Sequence, residues 1–247
     1  MNVNGRGTHS IMKKQSLRPL LTAAALVCIA CFGSALAGTV QLGVTDKDGK
    51  PAPDVVVMVD AAAKAPTPST FVIEQQDLRF VPYLTVVPVG STLRFVNRDT
   101  YDHHVRSMPT GPLGATPPVV SFELRLDPGQ AAAASPNDEY KSSAPVRKRS
   151  GASSVDVKVD KPGAIGLGCH LHSSMRGHVY VSNSPWFGKT DANGMVSIDG
   201  VPDGAVELQL WHADQLQEQA PVRVTVGAVP VKSSAQLNFT PRRRRGS

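Results

Sequence analysis

The stretch GLGCHLHSSMRGHVYV, residues 166–181, sets Cys169, His172 and Met175 at a strict three-residue spacing between two runs that read as β-strands. A thiol, an imidazole and a thioether held this close form a set of donors, in a chain that has only 3 cysteines. The other two, Cys28 and Cys31, fall in the apolar run PLLTAAALVCIACFGSALA, which follows Lys13, Lys14 and Arg18 and ends in Ala35-Leu36-Ala37. That pattern reads as a secretory leader over residues 1–37. A single membrane anchor is the competing reading, but the apolar run is short for a span. With the leader removed, Cys169 stands alone. An exported chain with one cysteine closes no internal disulfide, which leaves a buried inert thiol, a reactive thiol or a metal thiolate.

At 247 residues the chain is long enough for one or two domains with full cores, so small size imposes no need for disulfide staples. With 21 glycines, 20 prolines, aromatics at 5% and no long apolar helical periodicity, the composition leans toward β-structure with many turns. The formal charge of +6 drops by four, to +2, when Arg6, Lys13, Lys14 and Arg18 leave with the leader. Four of the remaining positive charges are the terminal run Arg242–Arg245, so residues 241–247 read as a basic tail on a nearly neutral body. With the body near neutral, nothing in the charge argues for a nucleic-acid binder, and no nucleic-acid partner is expected.

Outward from the opening stretch, strand-like alternation fills most of the chain. Val40, Leu42 and Val44 form one apolar face before the turn DKDGKP, and DVVVMVD, FVIEQQ, YLTVVPVG and STLRFVN follow as strands. Phe122, Leu124 and Leu126 alternate in SFELRL, and Val155, Val157 and Val159 in SVDVKVD. Toward the C-terminus the same habit recurs at Val206, Leu208 and Leu210, then at Val222, Val224 and Val226. The chain is therefore expected to be all-β, built of antiparallel sandwiches. Between Asp127 and Ser153 the period gives way to Pro, Ser, Ala and charge, and this stretch, 127–153, reads as a long flexible loop. A partner-docking element with VRKR as its contact is the alternative.

Thiolate and thioether are soft donors that favour Cu(I), and imidazole accommodates Cu(II), so the donor set suits copper. Cys-x2-His-x2-Met supplies three donors of a His2Cys copper site with a weak axial thioether and lacks one imidazole. The segment FVNRDTYDHHVRS offers His103 and His104 for that place, at the end of a predicted strand. Structural zinc, using Cys169 and His170 or His172 with His103, matches less well, because closed zinc sites usually hold several thiolates and gain little from a thioether. A Cys–His protease dyad lacks any surrounding signature, and a thiol beside a core methionine can be plain packing. A copper oxidase or nitrite reductase would need a second centre with further imidazoles, whereas the exported chain offers only His178 and His212 outside this cluster.

The segments GSTLRFVNRDTYDHHV and KPGAIGLGCHLHSSMRGHVYV resemble the cupredoxins, in particular the amicyanin and plastocyanin-like proteins of methylamine utilisation. The resemblance spans about residues 70–183 and implies a Greek-key sandwich holding one mononuclear type 1 (blue) copper. It implies His103 as the first ligand, Cys169 as the thiolate, His172 as the second imidazole near the surface where electrons leave, and Met175 as the axial ligand. His104 falls where many members carry Asn, and so stands as a neighbour of the ligands. His104 and His170 are departures from the pattern, both of them potential donors.

GTVQLGVTDKDGKPAPDVVVMVD resembles the opening strands of carboxypeptidase-regulatory-like, transthyretin-like sandwiches. GKTDANGMVSIDGVPDGAVELQLWH resembles the closing half of the same module, with its Asp-x-x-Gly and Val-Pro-x-Gly turns. Neither half buries a sheet face alone, so residues 38–62 and 186–240 are expected to form one small sandwich with the cupredoxin inserted between them. Two separate appendages are the alternative. Together these readings imply a periplasmic, non-enzymatic protein, exported through a Sec-type signal peptide and without a stable membrane span once the leader is cut. It would carry single electrons between redox proteins such as a cytochrome c-like protein or a dehydrogenase. The competing function is a periplasmic copper carrier or chaperone, for which Met108 and His104 beside His103 would supply an open mouth.

Overall fold

The period-2 patterning is realised as strands throughout a computed structural model that describes Met1 and residues 37–61, 65–128 and 153–242. In chain order the first strands are β1 (Ala37–Thr45), β2 (Val56–Asp60), β3 (Thr70–Gln76), β4 (Arg79–Val81), β5 (Leu84–Pro88) and β6 (Ser91–Asn97). They are followed by β7 (His103–Met108), β8 (Glu123–Leu126), β9 (Ser154–Val159), β10 (Gly163–Cys169) and β11 (Arg176–Ser182). The last are β12 (Phe187–Lys189), β13 (Met195–Pro202), β14 (Gly204–Trp211), β15 (Val222–Val226) and β16 (Val231–Gln236). Among the described residues a 3-10 turn at Pro112–Gly114 is the one helical element, so the fold is all-β. No described helix is long and apolar enough to cross a membrane.

Two cores sit between pairs of sheets. The sheets β13-β1-β16 and β12-β2-β14-β15 enclose Val40, Leu42, Val57, Val59, Ile198 and Leu208. The sheets β4-β3-β6-β9 and β5-β11-β10-β7-β8 enclose Ile73, Leu93, Phe95, Val105, Leu126, Ile165 and Val179. Along β6 the burial alternates residue by residue, with Leu93 and Phe95 turned fully inward. Each such side chain contributes about 1.5–3 kcal/mol by leaving water, which locks the register, since a slip of one residue would expose the whole set.

The sheets are not purely antiparallel, in contrast to the antiparallel sandwiches expected from the sequence. β1 pairs with β16, β3 with β6 and β5 with β11 in parallel. Alternation marks which side chains face the core and is blind to strand direction. β3 reaches β6 only after the chain crosses to β5 in the facing sheet, so it returns to its starting end before pairing.

β2 shows why DVVVMVD carries an unbroken apolar run: it is buried on both faces. Val57 and Val59 enter the first core, while Val56 and Met58 pack on Leu84 of β5, with Tyr83, Tyr180, Phe187 and Trp211 partly buried around them. The outer face of the β5-β11-β10-β7-β8 sheet is thus covered at its β5 edge. Of the sequence expectations, residues 129–152 of the 127–153 loop, residues 2–36 of the leader, residue 62 and residues 243–247 of the tail lie outside the described residues.

Candidate metal centre

Cys169 ends β10 and β11 begins at Arg176, so His172 and Met175 both lie in the connection of one hairpin. The Met175 N–H donates to the His172 carbonyl at 3.0 Å, a tight turn that returns both residues to the end where Cys169 stands. β7 runs beside β10 with Cys169 opposite Val105. Residues 103 and 105 share the inward face of β7, so the register delivers His103 to the same side as the Cys169 thiol. One residue further, the His170 N–H donates to the His104 carbonyl at 2.9 Å and extends the ladder past the thiol.

The result is a convergence of donors. Cys169 Sγ lies 3.7 Å from His103 Nδ1 and 3.5 Å from His172 Nδ1, and the three donor atoms all fall within 4.8 Å of one another. His103, Cys169 and Met175 are buried, whereas His172 is half-buried. Met175 belongs to the same apolar cluster as Cys169. A metal about 2.3 Å from a thiolate and about 2.0 Å from an imidazole nitrogen separates the two donors by roughly 3.5–3.8 Å at angles between tetrahedral and trigonal. The observed spacings lie in that range, so the side chains need little movement to take an ion. The distances suit zinc or copper alike; a buried thioether beside a single thiolate is what favours copper.

Residues that the sequence reading left without a role hold the site in shape. His103 Nε2 lies 2.7 Å from Asp99 Oδ2, a buried pair four residues apart. An ionised carboxylate only accepts, so Nε2 carries the ring proton and Nδ1 keeps its lone pair toward Cys169. Asp99 also accepts from the Asp77 N–H at 2.8 Å. Burial opposes its ionisation, but the bonds from His103, Asp77 and Leu78 prevail and hold its pKa below the ordinary carboxylate value. Burial drives the His103 pKa below the usual histidine value, against the pull of Asp99. Asn97 ties the segment down: its Nδ2 donates to the carbonyls of Tyr101 at 2.8 Å and Asp127 at 2.9 Å, and its Oδ1 accepts the Asp99 N–H at 2.9 Å. Both residues stand in the N-x-D pair of VNRDTYDHH, yet their contacts depend on a turn that spacing does not reveal.

His104 contributes its backbone, donating its N–H to Cys169 Sγ at 3.4 Å. Its ring points to the other side of β7, where its Nε2 lies 3.3 Å from Glu123 Oε1. Met108 lies on that outer side as well, its Sδ directly over Gly168. Tyr101 rests its ring 5.3 Å from the rings of both His103 and His172 at the mouth of the site. His178 lies apart from the donors, between Tyr83 and Trp211, and His212 is buried against Phe239.

Comparison with known proteins gives a partial likeness. No family model and no curated protein matches the chain. Among solved structures, a purple cupredoxin from Nitrosopumilus maritimus matches at 16% identity and a TM-score of 0.31, covering 46% of this chain and 99% of its own. The amicyanin from Paracoccus versutus matches at 15% identity and a TM-score of 0.29, covering 50% of this chain and 86% of its own. A Cu-containing nitrite reductase from Thermus scotoductus matches at 20% identity and a TM-score of 0.32, covering 56% of this chain and 28% of its own.

Proposed function

We propose that this chain is an exported, periplasmic type 1 copper protein that carries single electrons between redox proteins and catalyses no reaction of its own. The observation that carries the reading is the convergence of His103 Nδ1, Cys169 Sγ and His172 Nδ1 within 4.8 Å, beside the buried Met175. These four residues would hold one copper ion, which would supply the one-electron couple.

Each neighbouring group then has a task. Asp99 fixes the tautomer and the orientation of His103 and makes its Nδ1 a better donor. The His104 N–H stabilises negative charge on the Cys169 sulfur. The surrounding core, with Phe95, Val105, Leu126 and Leu167, excludes water and resists rearrangement of the donors as charge changes. His172 is the half-buried member of the set, with Leu171, Ser173 and Ser174 exposed around it, so a redox partner docks over this loop. We also infer that residues 38–62 and 186–240 make one small sandwich into which residues 70–183 are inserted. What supports this is the pairing of β1 with β13 and β16, and of β2 with β12 and β14.

A copper carrier would set a further soft donor beside His103, whereas Met108 occupies the opposite face of the sheet. Electrochemistry of the copper-loaded protein tests the choice. A reversible one-electron wave, with copper retained through prolonged challenge by a chelator, is the expected result. Ready loss of copper to the chelator with no reversible wave would favour the carrier and overturn the proposal.

A further inference from the structure

Behind the inner triad, on the outer face of the same sheet, stand three further donors: His104 of β7, Glu123 of β8 and His170 just past the end of β10. His104 Nε2 lies 3.3 Å from Glu123 Oε1, and the rings of His104 and His170 lie 5.6 Å apart at 70°. The inner imidazoles, His103 and His172, show nearly the same relation, 5.0 Å and 66°. We propose that His104, His170 and Glu123 form a second metal site for one divalent cation of the Cu(II) or Zn(II) kind.

The spacing fits. Imidazole nitrogen and carboxylate oxygen, each about 2.0–2.1 Å from a tetrahedral ion, stand about 3.3 Å apart, and that is the observed separation of His104 and Glu123. The same ion would replace the bare 3.3 Å contact of His104 and Glu123 with two ligand bonds. His170, exposed on the hairpin, turns its ring about its side-chain torsions to complete the set, and water fills the remaining position. The backbone holds the partners still: His170 N–H bonds the His104 carbonyl at 2.9 Å, and β7 pairs with β8 through His104–Arg125 and Arg106–Glu123. Arg106, Arg125 and Arg176 are cations on this face, Arg176 reaching over Gly168. Arg125 is drawn off by Asp102 at 2.6 Å and by Asp127 at 3.9 Å, and Arg106 is the cross-strand partner of Glu123. Side-chain exposures of 30% for His104 and 59% for Glu123 give an ion direct access from solvent.

The test uses Zn(II) alone, titrated into the metal-free protein near neutral pH in competition with a chromophoric chelator. His170→Ala and Glu123→Gln are each expected to bind one equivalent fewer than the wild type, or to bind that equivalent at least about tenfold more weakly. Cys169→Ser is expected to lose the other equivalent and keep this one. Equal number and affinity in the wild type and in both outer variants overturns the proposal, whatever the inner triad does. If the wild type binds one ion that Cys169→Ser retains and the outer variants lose, the outer site stands and the inner reading falls. Thermal melts establish that the variants are folded. Glu123→Gln changes an exposed side chain without changing its shape, so it decides the question should His170→Ala be unstable.

Discussion

Replacing Asn97 by Ala removes the buried knot that ties the end of β6 to the segment carrying His103. Asn97 is 1% exposed and makes three bonds of ordinary length: to the carbonyls of Tyr101 and Asp127 and from the N–H of Asp99. Each bond contributes about 1 kcal/mol net, and the partners left unpaired in a buried site add a desolvation cost. The sum is a destabilisation of about 3–5 kcal/mol, a large part of the roughly 5–15 kcal/mol that holds a typical domain together. Urea unfolding of the metal-free protein would show it as a lower midpoint at unchanged slope. The thermal midpoint would drop by about 8–15 °C for a chain of this size. Copper affinity would weaken too, because Asp99 and Tyr101 lose their anchor beside His103. A loss below about 1 kcal/mol would refute the reasoning, since it would mean that the Asp99–His103 segment holds its shape without Asn97.

Three further outcomes follow from the same contacts. Asp99→Asn should lower copper affinity by about 10–100-fold in a competition titration, because His103 loses the carboxylate that orients it; unchanged affinity would contradict that role. Burial depresses the His178 pKa to about 4. The unfolded chain therefore takes up a proton near pH 6.5 that the folded chain refuses, and stability is full above that pH and declines as pH falls toward 4. Between about pH 7 and about pH 5 the metal-free wild type should lose about 2 kcal/mol more than His178→Phe, read from urea midpoints, and parallel losses would exclude His178 as the cause. Gly166→Ala should destabilise by about 1–3 kcal/mol and Gly168→Ala by less. A Cβ on Gly166 would meet the backbone oxygens of Met108 at 2.7 Å and Pro109 at 2.9 Å, whereas one on Gly168 would overlap the movable Met108 thioether. The reverse order in chemical denaturation would contradict the packing described for β7 and β10.

What sequence makes legible is what is local. Cys169, His172 and Met175 are near in space because they share one hairpin connection, so their spacing is already their geometry. The inward faces of β6, β8 and β9 follow from alternation for the same reason. Direction and partnership are not local: the parallel pairs β3–β6 and β5–β11 depend on how the chain crosses between sheets. The short strand β4 escapes patterning because three residues cannot establish a period, and it is set by a turn in which Asp77 and Leu78 take positive φ. Asp99 is visible as a residue and invisible as a contact. Its bond to His103 exists because the backbone between them folds back and because the amides of Asp77 and Leu78 stabilise its charge.

In the proposed function Cys169, His103 and His172 act together on one copper ion. The most direct measurement is the visible absorption of the protein loaded with Cu(II), recorded beside Cys169→Ser. An intense blue or green thiolate-to-copper band that vanishes in the variant is the predicted result. A colourless wild type, or a copper spectrum that ignores the loss of the Cys169 sulfur, would contradict it.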